Sequence, residues 1–281
     1  MTSPPFNYLV TVHNKEALLS RVLAGVADCA GPGARIIIVL DGCTDGSENA
    51  ARRFAASART ETLVLTTPDV HEIKTINAGL HAAKPGYCVI LQDDVILEEP
   101  GLEPLVEALC ERHNRQLGYL SFRLAANIRP APLLRRLRVA LWYGPAGLLP
   151  AAEECDLLGT PQEHMEVART AYGEFHPRMV GIKSPVCLTP ELRACEPYLD
   201  EDFAPYCYDD VDLSLRALKR GLRNGLFPIR FQSRVEWGGT RQDSAFSSRA
   251  GAAIRYRNSQ RIWRKHGEYL ARIRGSGTHR Q

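Results

Sequence analysis

The stretch Tyr87-Cys-Val-Ile-Leu-Gln-Asp-Asp94 joins a short apolar run to two adjacent carboxylates. The run 87–91 has the length and the β-branched content of a buried strand. Ligands of open α/β sheets bind beyond the carboxyl ends of the strands, so Asp93 and Asp94 are predicted to face a binding edge. Adjacent acids repel each other unless a cation lies between them, and a divalent ion on a diphosphate is one such cation. An isolated Asp-Asp pair is more often a solvated turn, so the prediction depends on the rest of the chain.

Segments on both sides of this stretch alternate between strand and helix patterns. Apolar runs predict further strands at 8–12, 35–40, 61–66 and 118–122. The segments between them carry apolar residues at helical spacing, and Ser47 is the predicted N-cap of the second helix. Strands separated by helices of this length indicate right-handed βαβ units, so the predicted fold class is α/β with a largely parallel sheet.

The chain beyond residue 122 is less regular. Residues 123–178 are rich in Pro, Arg and Leu with weak periodicity, which suits a lid, an acceptor-facing insertion or an irregular surface loop. A turn is predicted at Asn224-Gly225. A basic helix over 248–273 would either lie on a membrane surface, with Ile262 and Trp263 on its apolar side, or pack on the rest of the protein. Its weak amphipathic pattern favours packing.

Composition excludes several classes of protein. The chain has 281 residues, 44% of them hydrophobic, which suffices for one large domain or two coupled lobes. A net charge of +3 is too small for a general nucleic-acid binder. No stretch reads as a membrane-spanning helix, and residues 1–5 lack a signal-peptide pattern. The eight cysteines show no Cys-x-x-Cys spacing, so we expect reduced thiols and a cytoplasmic protein.

Polar residues also follow the first two predicted strands. Thr11-Val-His-Asn14 ends the first strand, and Asp41-Gly-Cys-Thr-Asp-Gly46 follows the second. The glycines allow a tight turn, and Asp41 is suited to accept hydrogen bonds from a base or a ribose. Asp45 is better explained as an Asx-turn that caps the next helix.

Three acids open the predicted late helix. Asp212 lies in its first turn, where an acid is a normal partner of the helix dipole, and is expected to be structural. Asp209 and Asp210 come earlier and are expected to face the sheet edge.

Taken in order, these segments resemble the inverting glycosyltransferases of family 2, which have the GT-A fold. The matching stretches are Val10-Thr-Val-His-Asn14, Leu40-Asp-Gly-Cys-Thr-Asp-Gly-Ser47, Lys74-Thr-Ile-Asn-Ala-Gly-Leu80, Gln92-Asp-Asp94 and 199–216. The resemblance covers about residues 6–240 and rests on five ordered segments. It implies a Rossmann-like nucleotide-binding lobe over 1–122 with a mixed, mainly parallel sheet. An acceptor-binding lobe over 123–240, which carries the insertion 123–178, and a basic helical segment over 241–281 would follow.

The resemblance implies which residues contact the donor, a nucleotide-diphosphate sugar. The residues expected to contact its base, ribose or diphosphate are Thr11, Val12, Asp41, Lys74 and Asp93. A solvated helix lysine is the alternative for Lys74. Asp94 would ligate Mn²⁺ or Mg²⁺ on the diphosphate, and Asp93 would bind the ribose or a metal-bound water. UDP is the first choice of nucleotide, with dTDP and GDP as alternatives.

The acceptor side is implied in the same way. Asp210 aligns with the general base, which would take a proton from the acceptor hydroxyl as that oxygen attacks the anomeric carbon from the face opposite the leaving group. Asp209 beside it would raise the pKa of that base.

The chain departs from the family pattern at three places. Leu40 replaces the first acid of Asp-Asp-Gly-Ser, and Gln92 replaces the first acid of Asp-x-Asp. The late stretch 234–240 has no His to serve as a further metal ligand, so Glu236 is the expected oxygen ligand there.

Other functions fit the sequence less well. A sugar-phosphate nucleotidyltransferase would need a Gly-rich phosphate loop after the first strand, and a dinucleotide-binding enzyme would need its glycine fingerprint there. A catalytically inactive nucleotide-sugar-binding module stays open because of Leu40 and Gln92. We predict a metal-dependent inverting glycosyltransferase of polysaccharide or glycoconjugate biosynthesis. Its acceptor would be a carbohydrate or lipid-linked, with peripheral contact at the inner face of a membrane in the second case.

Overall fold

The structure is a computed structural model, and it describes residues 4–163, 165–182, 184–237 and 249–275. The strands are β1 (Phe6–Val12), β2 (Arg35–Asp41), β3 (Glu61–Thr67), β4 (Tyr87–Gln92), β5 (Ile96–Leu97), β6 (Leu117–Ser121), β7 (Leu124–Pro130), β8 (Ala152–Gly159), β9 (Ala168–Arg169), β10 (His176–Pro177), β11 (Val180–Ile182), β12 (Val186–Leu188), β13 (Arg223–Leu226) and β14 (Phe231–Gln232). The α-helices are α1 (Glu16–Cys29), α2 (Ser47–Ser57), α3 (Glu72–Ala82), α4 (Leu102–Arg112), α5 (Leu133–Tyr143), α6 (Pro190–Cys195), α7 (Asp209–Lys219) and α8 (Arg249–Gly275).

A central sheet of eight strands has the order β10-β13-β6-β12-β4-β1-β2-β3. The four strands from β4 to β3 are parallel, and helices connect β1, β2, β3 and β4 in turn. Strand β12 runs antiparallel to both of its neighbours, β4 and β6. The predicted α/β class with a mixed, mainly parallel sheet is therefore confirmed. Its parallel part brings the carboxyl ends of β1, β2 and β4 to one edge, with Thr11 paired to both Val39 and Gln92.

Helices cover both faces of this sheet. Alternate residues of β1 point to opposite faces, so that Tyr8 and Val10 join the apolar cluster under α1, α2 and α4, and Leu9 joins the cluster under α3, α6, α7 and α8. Helix α3 approaches the sheet at Gly79, where a Cβ would lie 1.7 Å from Leu9 Cδ1. Glycine is therefore required at this crossing for steric reasons.

The predicted insertion 123–178 is more ordered than the sequence suggested. Strands β7 and β8 pair antiparallel and form a second sheet in the order β11-β7-β8-β9. The apolar residues of β7 include Ala125 and Ala126, which are fully buried but carry little hydrophobic signal in a sequence pattern. The interpretation of this segment as an irregular surface loop is therefore wrong over 124–130 and 152–159.

Two local predictions are also corrected. Asn224-Gly225 is not a turn but part of β13, because the Asn224 side chain bonds to the Tyr119 N–H at 2.9 Å and to the Met179 carbonyl at 2.9 Å. Gly46, not Ser47, lies at the N-cap of α2. The Ser47 hydroxyl instead accepts the Lys15 N–H at 2.8 Å.

Helix α8 packs on the protein, as the amphipathic pattern favoured. Ile262 and Leu270 are buried in the second apolar cluster, and Trp263 packs against it partly buried. Ile262 is therefore not exposed for a membrane contact. No helix in the described part of the chain is long and apolar enough to span a bilayer.

Candidate active site

The ends of β1, β2 and β4 bring Thr11, Asp41, Asp93 and Asp94 to one edge of the sheet, and α7 begins with Asp209 and Asp210. Thr11 is buried, and its hydroxyl lies 3.5 Å from the Leu91 carbonyl. The Val12 side chain lies in the core, so only its backbone can contact a ligand. Lys74 is exposed on α3.

Asp41 is fixed by the segment that follows β3. Its Oδ1 accepts the Thr67 hydroxyl at 3.0 Å and the Val70 N–H at 2.9 Å, and the side chain is buried. The chain turns at Gly42, as the glycine predicted, with φ +56°. A Cβ at this position would lie 2.6 Å from Asp69 Cβ, so a larger residue would not fit. The acid is thereby oriented before any ligand arrives.

Asp45 forms the predicted Asx-turn. Its Oδ1 accepts the Ser47 N–H and its Oδ2 accepts the Glu16 N–H, both at 3.0 Å. This acid therefore joins the starts of α1 and α2 and does not face the site.

Asp93 and Asp94 have different surroundings. The Asp93 carboxylate accepts the His13 N–H at 2.8 Å and so connects β4 to the end of β1. Burial raises the pKa of Asp93 to about 7, with the His13 N–H and the Lys15 charge opposing the shift. Asp94 is 5% exposed, and its Oδ1 is buried without a hydrogen-bond partner. A buried carboxylate oxygen in this condition is costly unless a cation or a ligand compensates it.

Glu72, in the first turn of α3, is a site residue that the sequence analysis did not identify. The Gln92 side-chain amide donates a hydrogen bond to Glu72 Oε1. Burial and then the charges of Asp210 and Asp94 raise the pKa of Glu72 to about 7, against the hydrogen bond from Gln92. An acid at a helix start is usually a dipole partner, so its sequence position alone gave no signal.

Asp209 and Asp210 enter the same electrostatic cluster from α7. Cys207 and Tyr208, with φ values of 74° and 72°, turn the chain into the helix. Burial and the charges of Asp210 and Glu72 raise the pKa of Asp209 well above its usual range. The Asp210 Oδ1 accepts the Val211 N–H at 2.7 Å. Three elements thus bring four acids together at this edge: Glu72, Asp94, Asp209 and Asp210.

Helix α8 positions the segment before Asp209. The buried Asn258 amide donates to the carbonyls of Phe203 at 2.8 Å, Tyr206 at 3.0 Å and Cys207 at 3.1 Å. Asp212, one turn into α7, is fully buried and bonds to α8. Its predicted structural role is supported by these contacts.

Glu236 lies on the surface, close to Arg234. Its carboxylate is exposed and lies 3.9 Å from Arg234 Nη1. Of the stretch 234–240 in which it was predicted to act, residues 238–240 lie outside the described residues.

A second set of ligand atoms lies nearer to Asp41. Within the described ranges, one trio of acid or histidine side chains has its ligand atoms within 4.8 Å of one another, and it consists of His13, Asp41 and Asp69. Two of its members are exposed, and Asp41 Oδ1 already accepts two hydrogen bonds. Asp94 Oδ1, by contrast, is buried without a hydrogen-bond partner. The cluster of Glu72, Asp94, Asp209 and Asp210 is therefore the better candidate for a cation site.

Comparisons with known proteins show similarity in sequence family and in fold. Residues 8–121 match the sequence model of Glycosyl transferase family 2. No curated protein matches the chain. A crystal structure of S. aureus TarS 1-349 superposes with a TM-score of 0.54 at 13% identity, over 82% of this chain and 60% of that one.

Two complexes have the same fold. The mannosyltransferase PcManGT from Pyrobaculum calidifontis, in complex with GDP-Man and Mn²⁺, has a TM-score of 0.52 at 17% identity, over 82% of this chain and 56% of that one. S. aureus TarS 1-349 in complex with UDP-GlcNAc has a TM-score of 0.52 at 14% identity, over 80% and 56%. This chain therefore spans less than two thirds of the length of these structures. Residues 8–121 therefore carry the sequence pattern of glycosyl transferase family 2, which confirms the resemblance over this part of the chain, and the chain has the GT-A fold.

Proposed function

We propose that this protein is a metal-dependent inverting glycosyltransferase that moves a sugar from a nucleotide-diphosphate sugar to an acceptor hydroxyl. The observation that carries the proposal is the buried, unpartnered Oδ1 of Asp94, which lies among three further acids at the carboxyl edge of a family 2 sheet. Such a cluster needs a positive charge, and the diphosphate-bound cation of a donor complex supplies it.

The donor would lie along the ends of β1, β2 and β4, in the lobe formed by residues 1–122. Thr11 and the preoriented Asp41 would contact the base and ribose, and Asp93 the ribose or a metal-bound water. Lys74, exposed on α3, is proposed as a partner of the diphosphate. UDP, dTDP and GDP remain the candidate nucleotides; TarS and PcManGT were solved with UDP-GlcNAc and GDP-Man respectively.

The oxygen donors present fit Mn²⁺ or Mg²⁺, both of which prefer carboxylates and phosphates. Asp94 and Glu72 are the proposed protein ligands. Glu72 takes the role first assigned to Glu236, because the Gln92 amide holds the Glu72 carboxylate where a family member would have the first acid of Asp-x-Asp. When bound, the cation offsets the charge that develops on the leaving diphosphate.

Asp210 is the proposed general base. Its carboxylate, which accepts the Val211 N–H at 2.7 Å, would take the proton of the acceptor hydroxyl. Burial and the charges of Asp210 and Glu72 raise the pKa of the neighbouring Asp209, so the two carboxyls share one electrostatic environment. An acceptor oxygen that attacks from the side of α7, on the face opposite the leaving diphosphate, would invert the anomeric configuration. The acceptor, a carbohydrate or a lipid-linked one, would contact residues 123–240.

Donor binding is tested by thermal shift with UDP, dTDP and GDP, each with and without Mn²⁺, because a ligand of the folded state raises its apparent stability. Asp94→Asn and Glu72→Gln should each remove the Mn²⁺-dependent part of the shift. Glu48→Gln, which changes the first-turn acid of α2 away from the site, is the matched control. A full Mn²⁺-dependent shift in both site variants would exclude the proposed ligands.

Transfer is tested separately with intact nucleotide sugars and acceptor mixtures. Asp210→Asn should leave the nucleotide shift unchanged and abolish transfer. Near-normal transfer by this variant would exclude Asp210 as the base. A wild-type protein that binds a nucleotide sugar and turns none over would support the inactive binding module instead.

A further inference from the structure

Helix α5 and the turn after it expose an unusual amount of apolar surface. None of the α5 side chains is buried. Of the eleven large hydrophobic side chains that are exposed in the described residues, seven lie between 133 and 149. We call these seven the α5 surface: Leu133, Leu134, Leu137, Leu141, Trp142, Leu148 and Leu149. Leu141 is 86% exposed and Leu134 74%, values that leave these side chains almost entirely in contact with water. A contiguous exposed patch of this kind marks an interaction site.

The α5 surface is held in place by the rest of the protein. Tyr256 and Gln260 of α8 donate hydrogen bonds to the carbonyls of Gly147, at 2.8 Å, and Ala146, at 2.7 Å. Gly147 packs so closely on α5 that a Cβ there would lie 2.4 Å from the Ala140 nitrogen. The leucines therefore cannot turn inward without breaking these contacts, and their exposure is a built feature of the fold.

The apolar residues of α5 form one stripe with basic residues beside it. Leu133, Leu137 and Leu141 are four residues apart, which places them on one side of the helix, and Leu134 lies next to Leu141 on the same side. Arg138 and Trp142 border this stripe. An arginine can keep its guanidinium in water or among phosphates while its stem covers apolar surface, and an indole suits the same boundary.

The charged residues of α5 itself are all basic, and one of them, Arg135, is paired with Glu153 of β8 at 2.7 Å. The sequence has no acid between residues 112 and 152, a stretch that includes Arg135, Arg136 and Arg138. Arg249 adds a further charge. Its guanidinium lies 5.6 Å from the ring centre of Tyr143, the residue that follows Trp142 in the chain. Exposed leucines and a tryptophan together with arginines match the zwitterionic and anionic headgroup region of a bilayer better than they match a water-facing surface.

We propose that the α5 surface binds in the plane of an anionic lipid bilayer. Leu134, Leu141 and Trp142 enter the boundary between headgroups and acyl chains, and the arginines contact lipid phosphates. This places the membrane contact on α5, not on α8, whose Ile262 is buried. The bilayer is favoured over a second copy of the chain because two copies would bring Arg136, Arg138 and Arg249 of each surface together, and these like charges would repel each other.

Helix α5 also lies near the segment that precedes Asp209. Burial raises the pKa of the Tyr208 hydroxyl and the charge of Arg135, on α5, lowers it; Tyr208 directly precedes Asp209 in the chain. If the proposed function holds, a bilayer bound by α5 would bring a lipid-linked acceptor toward Asp210. Membrane binding itself does not depend on that function.

The test is co-sedimentation of the full chain with vesicles of phosphatidylcholine alone or with one third phosphatidylglycerol. We expect wild-type protein to bind the anionic vesicles, and the double variant Leu134→Gln/Leu141→Gln to bind at least tenfold less. Arg138→Gln should weaken binding to anionic vesicles and reduce its salt dependence. Leu105→Gln, which changes an exposed leucine of α4, is the matched control and should bind like the wild type.

Three results would overturn the proposal. These are no binding of wild-type protein to anionic vesicles, equal binding by the double variant, or an equal loss in Leu105→Gln. Sedimentation velocity adds a further one, since a dimer that the double variant abolishes would assign the surface to a second copy. Thermal unfolding of each variant shows whether it is folded, and the exposed positions predict unchanged melting temperatures. Because nucleotide shifts are measured without vesicles, failure of membrane binding and failure of the proposed transferase are distinguishable.

Discussion

Substitution of Asp212 tests how firmly α8 is attached to the helix that carries Asp209 and Asp210. The fully buried carboxylate accepts a hydrogen bond from His266 Nε2 at 2.7 Å, and it forms ion pairs with Lys265 at 2.7 Å and Arg216 at 2.8 Å. Burial alone would raise the pKa of Asp212, but the hydrogen bonds from His266 and Lys265 and the charge of Arg216 outweigh it and lower the pKa to about 2.

The size of the effect follows from this pKa. The ordinary value is 3.8, so the folded state favours the ionised form by about 2 kcal/mol at pH 7. Asp212→Asn removes this contribution and leaves an amide facing Arg216 and Lys265. We therefore expect the free energy of unfolding to fall by at least about 2 kcal/mol, and by up to roughly 5 kcal/mol if both cations lose their compensation.

The pH dependence has a definite sign. Because the pKa of Asp212 is lower in the folded state, its stabilisation is complete above about pH 4 and is lost as the pH falls toward 2. About half of it should remain at pH 3. The contribution of the Asp212 carboxylate to the difference between wild-type protein and Asp212→Asn should therefore narrow below pH 4.

Urea unfolding at pH 7, 5, 4 and 3 measures this difference directly. Asp202→Asn, which changes an exposed acid near the same segment, is the control and should change stability by less than about 0.5 kcal/mol. A difference at pH 7 below about 1 kcal/mol, or one that does not narrow in acid, would refute the assigned role of the carboxylate.

Three further substitutions address the sheet, the loop and the donor site. Gly79→Ala forces a Cβ against Leu9 and should lower the free energy of unfolding in urea by about 1–3 kcal/mol; an unchanged value would mean that α3 is not held at this crossing. Asn258→Ala removes three hydrogen bonds to the segment before α7 and should reduce kcat by tenfold or more with nucleotide Kd unchanged. If nucleotide affinity falls by the same factor as kcat, the substitution has disturbed the whole fold and not this segment alone. Asp41→Asn keeps an acceptor oxygen for Thr67 and should weaken nucleotide binding about tenfold by calorimetry, whereas unchanged affinity would remove it from the donor site.

The parallel half of the sheet could be predicted from the sequence almost to the residue. Strands β1, β2 and β4 are buried on both faces, so they appear as continuous apolar runs that end at polar residues. Strand β7 of the second sheet and helix α5 could not be predicted in this way. β7 buries alanines and α5 exposes leucines, which reverses the rule that apolar residues lie in the interior. Sequence patterns record the composition of a face but not what that face contacts.

The site shows a similar division. The motifs predicted that Asp41, Asp94 and Asp210 would gather at one edge, since parallel strands end together. Glu72 could not be predicted, because its relation to Gln92 depends on how α3 crosses the sheet at Gly79. Gln92 stands where the family motif has an acid, so the sequence predicted one acid fewer at this position. The fold brings another acid, Glu72, beside Gln92. The ligand roles of Asp93, Asp94 and Glu72 remain predictions for the metal-binding experiments.

The contacts of Asn258 have a consequence for the order in which the protein matures during synthesis. Translation makes α8 after every strand of the central sheet and after α7. A nascent chain can therefore form the edge at which β1, β2 and β4 end while the loop before Asp209 still lacks the amide that holds it. The acids of α7 become fixed only once α8 has emerged from the ribosome, so a stalled or proteolysed chain that lacks it would have the strand-built half of the site without an anchored Asp210.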